Sequence, residues 1–258
     1  MDVRSLKMFE RVVCITGSGA RIGAYLAQHL HTQGWRVILH ARQHRQQADE
    51  LALLMNQQAP CSAVVVQGDL TDAATLSRVA VDIGAAFGRL DALIHNASSF
   101  YATPMGQATL HDWDDLFGSN ARAPFFLTQA LLPLLQAQPS NVISILDIHA
   151  DGQPFRDYPI YNMAKAAHRM MVQALAKDLA PHIRVNGVAP GANIWPDAQA
   201  THAIDLALRQ QIEHSIPLKR VGEPADIAGA ISYLLDAGYV TGQILAIDGG
   251  RSLTIAGE

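Results

Sequence analysis

The chain has 258 residues, of which 49% are hydrophobic, and carries a formal net charge of −4 with a pI near 6.2. This length and composition predict a globular protein with a substantial core and argue against intrinsic disorder. The mildly acidic balance argues against nucleic acid or an anionic membrane surface as the main partner. No run of about 18 apolar residues predicts a membrane-spanning helix, and the absence of a signal-peptide pattern favours a cytoplasmic protein.

Short apolar runs alternate with helical patterns along the whole chain. The predicted strands have the sequences RVVCIT, WRVILHA, SAVVVQGD, LDALIHNA, NVISILD, IRVNGVAP and GQILAID. Each run is nearly continuous in apolar residues, which is typical of strands covered on both faces. The alternation predicts a single α/β domain over residues 1–258, built on a doubly wound parallel sheet. The irregular connection near residues 191–217 is predicted to shape a substrate pocket.

A glycine-rich loop, TGSGARIG at residues 16–23, follows the first predicted strand and opens the first helix. Gly17 suits a tight turn and Gly23 suits close packing of the helix on the sheet, with Ile22 between that turn and the helix. The free N–H groups of the helix N-terminus suit a pyrophosphate. Arg21 stands where many such loops have a glycine; it can pair with an anion, reach the neighbouring pocket or lie in solvent. The loop predicts a dinucleotide cofactor.

The end of the second predicted strand carries His40, Ala41 and Arg42, with Arg45 close behind. NAD-specific sites usually have an acidic residue here for the ribose 2′-hydroxyl, whereas an arginine suits a 2′-phosphate. The pattern therefore predicts NADP(H), with Arg42 as the first candidate for the phosphate contact and Arg45 as the second. Asp69 and Leu70 end the third predicted strand beside the expected adenine pocket; alternatively, Asp69 caps the helix that begins near Thr71.

Tyr161 and Lys165 are four residues apart, so both side chains project from one face of a predicted helix. A free tyrosine has a pKa near 10, and a neighbouring ammonium is expected to favour the phenolate and lower that pKa. Asp147 ends the fifth predicted strand and points towards the same crevice; its alternative role is to cap a turn. This set predicts proton transfer at the carboxyl ends of the strands.

These motifs resemble the short-chain dehydrogenase/reductase family over essentially the whole chain. The motifs are TGSGARIG, HNAS (95–98), YNMAK (161–165), VNGVAPG (185–191) and YVTGQILAIDGG (239–250). The resemblance implies a Rossmann-type sheet of about seven strands and hydride transfer from a nicotinamide cofactor. It implies Tyr161 as the proton donor and Lys165 also on the nicotinamide ribose. It implies that Asn120 holds a water on a proton relay to Lys165. Further cofactor contacts are implied for Asn96, Ala97, Ser98, Pro190 and Gly191.

Two positions depart from the usual family pattern, because the family generally has Ser at Asp147 and Gly at Arg21. Both departures are similar to the pteridine reductase branch, and to its bacterial members most of all. The likeness extends to NASSFYATPM (96–105), LFGSNARAPFFL (116–127), DIHA (147–150) and APGANIWPD (189–197). The span from Asp147 to Tyr161 is one residue longer than usual, with the extra residue in ADGQP.

The branch resemblance implies that Phe100 sandwiches a pterin against the nicotinamide, because flat π-systems favour offset stacking. Ser98, Asp147, Tyr161 and Arg21 are implied at the same substrate, and no metal is expected. A hydroxyl at position 147 suits a developing oxyanion, whereas a carboxylate repels one and accepts hydrogen bonds from N–H groups. Asp147 therefore favours reduction of a C=N bond over a C=O bond.

The sequence predicts NADPH-dependent reduction of a dihydropteridine, such as dihydrobiopterin, to its tetrahydro form. The alternatives are a dihydromonapterin or dihydrofolate substrate, a carbonyl reductase acting on 3-oxoacyl carriers, and a module that senses the cofactor without performing chemistry. The family resemblance implies a homotetramer in which helices near 110–136 and 160–180 pair across subunits. The apolar residues assigned to these faces are Leu131, Leu132, Leu134 and Leu135.

Overall fold

Seven parallel strands form one sheet in the computed structural model, which describes residues 9–193 and 206–254. The strands are β1 (Val12–Ile15), β2 (Arg36–Ala41), β3 (Ala63–Gln67), β4 (Ala92–His95), β5 (Ser140–Ile145), β6 (Ile183–Pro190) and β7 (Ile244–Ile247). Their order across the sheet is β3-β2-β1-β4-β5-β6-β7, and every neighbouring pair is parallel. The prediction of a single-domain, seven-stranded Rossmann-type sheet is confirmed.

Helices cover both faces of the sheet. Within the described residues they are α1 (Arg21–Thr32), α2 (Arg45–Gln58), α3 (Ala73–Phe87), α4 (Leu110–Phe117), α5 (Ala123–Leu135), α6 (Pro159–Asp178), α7 (Leu206–Ser215) and α8 (Pro224–Asp236). A π-helical turn, Gly118–Arg122, joins α4 to α5. The helix predicted near 110–136 is therefore two helices with a widened turn between them.

The core consists of two apolar layers, one on each side of the sheet. Val13 and Ile15 of β1 pack into the layer that α1, α2 and α8 cover, while Val12 and Cys14 pack into the layer under α3, α5 and α6. Successive side chains of a strand point to opposite faces. Because both faces are covered, both sets of side chains are buried, which explains why the strand sequences are continuously apolar.

The strand order reverses between β1 and its neighbour β4, and a crevice opens there at the carboxyl ends of the strands. The glycine-rich loop leaves β1 at this edge, and the HNAS segment leaves β4 beside it. Parallel α/β sheets bind ligands at such a switch point. The fold thus brings the predicted cofactor and catalytic segments to one edge of the sheet.

Two predictions need correction or restriction. The connection near 191–217 is not an uninterrupted loop, because it contains α7; residues 194–205 of that segment lie outside the described part of the chain. Leu131 and Leu135 cannot lie on a face that pairs with another subunit, because both are buried beneath α5 in this chain's own core. Across the described residues, no helix is long and apolar enough to span a membrane.

Candidate active site

The glycine-rich loop is held against the end of β4. The side-chain amide of Asn96 donates to the carbonyl oxygens of Thr16 (2.9 Å) and Gly17 (3.0 Å). Gly17 has a φ of +65°, and a Cβ there would lie 2.9 Å from the Cα of Ala97. A Cβ at Gly23 would collide with the carbonyl oxygen of Gly17. The two glycines therefore allow the close approach of loop, helix and strand on which the predicted phosphate site depends.

Arg21 begins α1 with a φ of +52°. This left-handed region is comfortable for glycine and costs other residues roughly 1–2 kcal/mol. The family's usual glycine thus matches the backbone at this position, and Arg21 is accommodated there against that preference. Strained residues that persist are concentrated at functional sites, so the backbone supports a role for this side chain in the cleft that it borders.

His40 lies behind the loop, with both ring nitrogens bonded to the backbone. Nδ1 accepts from the Gly17 N–H (3.2 Å), and Nε2 lies 3.0 Å from the carbonyl oxygen of Gly68, to which it must donate. Burial lowers the pKa of His40 to about 4, so the ring is neutral at physiological pH. His40 joins the ends of β1, β2 and β3, and neither nitrogen is left for a ligand.

Arg42 and Arg45 differ in their positions relative to the crevice. Arg42 borders the crevice, whereas Arg45 borders an outer cleft beside β3 and forms an ion pair with Asp49 at 2.7 Å. The Asp69 carboxylate lies 3.7 Å from the Arg42 guanidinium. Asp69 is therefore an acidic neighbour that competes with a 2′-phosphate for Arg42.

Asp69 does not cap the helix that follows β3. Its carboxylate accepts from the backbone N–H (2.9 Å) and hydroxyl (2.7 Å) of Thr71, closing a local turn. The cap of α3 is Asp72, which accepts from the Thr75 N–H at 2.7 Å. Burial raises the pKa of Asp69, but the hydrogen bonds from Thr71 and the charge of Arg42 outweigh it, so the pKa is lowered. Asp69 is held charged at the edge of the crevice.

Asp147, Tyr161 and Lys165 meet at the end of β5. The Tyr161 hydroxyl donates to Asp147 Oδ2 at 2.8 Å, while Asp147 Oδ1 accepts from the His149 N–H at 2.9 Å. Lys165 is buried and donates to the Ile145 carbonyl oxygen at 2.9 Å. The two roles weighed for Asp147, turn cap and partner of the tyrosine, are both present, one on each carboxylate oxygen.

The Tyr161 pKa is raised, so the expected lowering is wrong. Burial raises this pKa well above 10, and the charge and hydrogen bond of Asp147 raise it further, because a phenolate would be repelled by the carboxylate. Burial lowers the pKa of Lys165 to about 8, against the opposing effect of Asp147. Tyr161 is therefore held as a neutral phenol, a form that can give up a proton.

Asn120 lies in the π-helical turn and is almost fully buried. Its amide nitrogen donates to the carbonyl oxygens of Ser99 (2.9 Å) and Leu116 (3.0 Å). Its buried Oδ1 has no hydrogen-bond partner among the described residues. A buried acceptor without a hydrogen-bond partner is energetically costly. The Oδ1 atom of Asn120 is therefore suited to accept a hydrogen bond from a bound water.

The crevice has the size and lining expected of a dinucleotide site. Its volume is about 530 Å³, and it extends along the carboxyl ends of β1, β2 and β4. Predicted cofactor and substrate residues that border it are Gly17, Arg21, Ile22, Gly23, His40, Ala41, Arg42, Asp69, Leu70, Asn96, Ala97, Ser98 and Phe100. The glycine-rich loop, in which Gly17 and Gly23 leave no room for a Cβ, leads into the N-terminus of α1. This arrangement fits a pyrophosphate.

Comparison with known proteins gives the family. The sequence model of a protein family that is described as enoyl-(acyl carrier protein) reductase matches residues 18–252 of this chain. The chain belongs to the short-chain dehydrogenase/reductase family. It is therefore an oxidoreductase of a family that uses nicotinamide cofactors.

Relatives of this short-chain dehydrogenase/reductase differ in their named substrates. It is 32% identical to pteridine reductase 1 of Leishmania tarentolae, over 95% of this chain and 97% of the relative. It is 32% identical to the rhamnolipids biosynthesis 3-oxoacyl-[acyl-carrier-protein] reductase of Pseudomonas aeruginosa, over 94% of this chain and 96% of the relative. It is 30% identical to the granaticin polyketide synthase putative ketoacyl reductase 2 of Streptomyces violaceoruber, over 94% of this chain and 96% of the relative. Identity alone does not choose between these substrate classes.

An aromatic cluster borders the reductase's Asp147–Tyr161 pair. Phe100, half exposed, meets Tyr161 edge to face with ring centroids 4.7 Å apart and stacks on Tyr158 at 4.8 Å. Phe155 packs against the same rings. Sequence reasoning singled out Phe100 but missed Tyr158. Tyr158 is three residues before Tyr161, and this spacing could have placed the two rings on one side of the helix.

Arg251 is a second residue that the sequence analysis missed. It follows the DGG motif in a 3₁₀ turn, Arg251–Leu253, that Asp248 caps through the Gly250 (2.9 Å) and Ser252 (2.7 Å) N–H groups. Burial lowers the pKa of the Arg251 guanidinium, while the charges of Asp147 and Asp248 raise it. A cation therefore lies within electrostatic reach of Asp147.

Pro190 and Gly191 end β6 beside Asp248. A Cβ at Gly191 would lie 2.7 Å from the Cβ of Asp248 and 2.9 Å from its Cα, so the two backbone segments pass each other at close range. The Gly191 N–H donates to the Ile247 carbonyl oxygen at 3.0 Å. Both residues lie at the same edge of the sheet as Asp147, since β5 and β6 are neighbours.

Proposed function

We propose that this enzyme reduces a dihydropteridine to its tetrahydro form with NADPH. The observation that carries the proposal is the 2.8 Å hydrogen bond from Tyr161 to Asp147, at a position where the family usually has Ser. A serine hydroxyl can donate to the oxyanion that forms when a C=O bond is reduced. A carboxylate repels that oxyanion but accepts an N–H, and a reduced pterin ring carries N–H groups.

The chemistry requires a hydride on a ring carbon and a proton on the adjacent nitrogen. When bound, the nicotinamide cofactor supplies the hydride. Tyr161 provides the proton, directly or through Asp147 and a water, because its phenol is held neutral beside the carboxylate. Asn120 and a water return a proton towards Lys165, whose own pKa of about 8 suits proton transfer near neutral pH.

NADPH is proposed over NADH because of the arginine at the end of β2. Arg42 borders the crevice, and a guanidinium suits a phosphate better than a neutral hydroxyl. Asp69, at 3.7 Å, is a weak rival, since the Arg42 side chain is 41% exposed and exposed ion pairs contribute about 0–1 kcal/mol. Gly17, Arg21 and the α1 N-terminus are proposed to hold the pyrophosphate.

The substrate side is proposed to be built on Phe100. Its half-exposed ring offers a face beside the Tyr161 hydroxyl that a flat bicycle can stack on. Ser98, which is exposed at the rim of the crevice, and Arg21 are proposed to contact the polar edges of the ring. Dihydrobiopterin, dihydromonapterin and dihydrofolate share this ring, so the proposal covers all three.

A second candidate is reduction of a 3-oxoacyl carrier, which is favoured by the names of two relatives at 32% and 30% identity. Asp147 opposes it, because its carboxylate is 2.8 Å from the Tyr161 hydroxyl and would lie beside the developing oxyanion. A cofactor-sensing module is opposed by the intact set of Tyr161, Lys165 and Asn120, which a module without chemistry does not need.

We also propose a cytoplasmic homotetramer. Large apolar side chains on α4–α6 remain exposed in the single chain: Trp113, Phe125, Phe126, Met163 and Met170. Exposed apolar groups of this size mark protein–protein contacts. These residues replace Leu131 and Leu135 as the proposed contact face. A sedimentation measurement that gives a monomer contradicts the tetramer.

A substrate panel tests the proposed function. The purified protein is mixed with NADPH and, separately, dihydrobiopterin, dihydromonapterin, dihydrofolate and a 3-oxoacyl thioester, and cofactor oxidation is followed by absorbance. We expect turnover with at least one dihydropteridine and little with the thioester. Preference for the thioester supports the second candidate, and no turnover with any compound supports the binding module.

A further inference from the structure

The π-helical turn Gly118–Arg122 grips the segment that carries Phe100. The Ser119 hydroxyl accepts from the Ser99 N–H at 3.2 Å, and the Asn120 amide donates to the Ser99 carbonyl oxygen at 2.9 Å. Two consecutive side chains thus hold both polar backbone groups of the residue before Phe100. Short π-helical segments occur most often at functional sites.

The Ser119 hydroxyl uses its donor and acceptor positions on backbone and side-chain groups around Ser99. A serine hydroxyl has one proton to donate and can accept two hydrogen bonds. The Ser119 hydroxyl donates to the Asp115 carbonyl oxygen at 2.8 Å, and its oxygen accepts from the Ser99 N–H and the Asn120 amide, both at 3.2 Å. The Asn120 amide also donates to the carbonyl oxygen of Leu116 in the last turn of α4. The grip on Ser99 is therefore built on the end of that helix.

The hydrogen bonds to Ser99 lie directly beside Phe100 in the chain. Phe100 follows Ser99 directly, and its ring centroid is 4.7 Å from that of Tyr161. Beyond Phe100, the Thr103 N–H donates to the Asp157 carbonyl oxygen at 2.8 Å, which fixes the far end of the segment. The backbone is held on both sides of Phe100, while its ring remains half exposed.

We propose that Ser119 is a positioning residue that sets the place of the Phe100 ring beside Tyr161 and thereby the affinity for flat substrates. The inference rests on the proposed function, because it needs a bicyclic ring that stacks on Phe100. Asn120 shares the grip on Ser99, but it is also assigned to the proton relay. Ser119 is not itself assigned to the relay, but its oxygen also accepts from the Asn120 amide at 3.2 Å. The test at Ser119 therefore follows kcat beside KM, because a disturbed relay lowers kcat.

The test compares Ser119→Ala with Ser119→Thr, each made in the unaltered enzyme and in a Phe100→Ala background. Ser119→Ala should raise KM for the dihydropteridine by about fivefold, the factor that loss of one neutral hydrogen bond allows. The kcat should stay within about twofold, since no group at the reacting atoms is removed. Ser119→Thr, which keeps a hydroxyl, should restore most of the affinity. In the Phe100→Ala background, Ser119→Ala should have no further effect on KM.

Two further measurements separate this role from a merely structural one. Hydrogen exchange at the Ser99 amide should be faster in Ser119→Ala than in Ser119→Thr. The Kd for NADPH should be unchanged, a needed control because Ser119 also borders the crevice. Should Ser119→Ala not fold, Ser119→Cys replaces it, and its weaker acceptor should raise KM above that of the unaltered enzyme and of Ser119→Thr. An unchanged KM in Ser119→Cys would then overturn the inference.

An unchanged KM in Ser119→Ala, an equal effect in the Phe100→Ala background, or an equal loss of NADPH affinity would each overturn the inference. Failure of the proposed function looks different. In that case the unaltered enzyme itself reduces no dihydropteridine, whatever residue stands at position 119.

Discussion

A single carboxylate performs two tasks at the end of β5. Asp147 Oδ1 accepts from the backbone of the 3₁₀ turn that follows, and Oδ2 accepts from the Tyr161 hydroxyl. A serine has only one side-chain oxygen, so both contacts would have to share it. The sequence analysis treated cap and catalytic partner as alternatives, because periodicity and spacing do not show how many acceptors a position needs.

Tyr161→Phe tests the proton donor. Removing the hydroxyl should reduce kcat by about 10²–10⁴, the contribution typical of a positioned acid, and should leave the Kd for NADPH nearly unchanged. Lys165→Ala should damage both turnover and NADPH binding, since Lys165 is assigned to the ribose as well. Stopped-flow turnover and fluorescence titration with NADPH measure the two effects. Near-normal turnover in Tyr161→Phe removes this residue from the mechanism.

The turn between β2 and α2 carries the residues on which the proposed preference for NADPH rests. Sequence reasoning left Arg42 and Arg45 open, because both follow the strand within a few residues. The structure separates them: Arg42 borders the crevice, while Arg45 forms an ion pair with Asp49 along α2. This distinction depends on where the helix begins, which the pattern of apolar residues does not fix to within one residue.

Arg42→Ala and Arg45→Ala form a matched pair of variants. We expect Arg42→Ala to weaken NADPH binding by about tenfold, because one charge-assisted hydrogen bond to a phosphate contributes about 1.5–3 kcal/mol. Arg45→Ala should change it much less. NADH binding should be unaffected in both. Equal affinity for NADH and NADPH in the unaltered protein is the result that contradicts this assignment.

Strands were easier to predict than the segment between α4 and α5. The seven strands are covered on both faces, so each is visible in the sequence as an apolar run. The helical pattern over 110–136 continues through the π-helical turn without a change in apolar spacing. The features specific to this turn are the hydrogen bonds from the Ser119 and Asn120 side chains to the backbone of α4. The element that holds Ser99 was therefore invisible in the sequence.

At the scale of the whole molecule, buried histidines should make the fold sensitive to acid. Burial lowers the pKa of His40 to about 4, that of His95 to about 3 and that of His168 well below 6.5. In the unfolded chain each binds a proton below about pH 6.5. Unfolding therefore takes up protons as the pH falls, and the free energy of unfolding decreases from pH 6.5 towards pH 4.

Urea unfolding at pH 7 and pH 5 measures this loss. His40 and His95 should each lower the free energy of unfolding by about 2 kcal/mol at pH 5, since each pKa unit corresponds to about 1.4 kcal/mol. His95→Gln should reduce the difference between the two pH values, whereas replacing the exposed His111 by Gln should not. Equal stability at pH 7 and pH 5 contradicts the proposed burial of neutral rings.

The family and the fold together leave one question, the bond that is reduced, and Asp147 is the residue that bears on it most directly. The decisive measurement is kcat/KM of Asp147→Ser for a dihydropteridine and for a 3-oxoacyl thioester, each relative to the unaltered enzyme. We expect the substitution to lower kcat/KM for the dihydropteridine by more than about tenfold, the scale of a lost proton-transfer partner, and not to lower it for the thioester. A serine variant that reduces the dihydropteridine as well as the unaltered enzyme does would contradict the account.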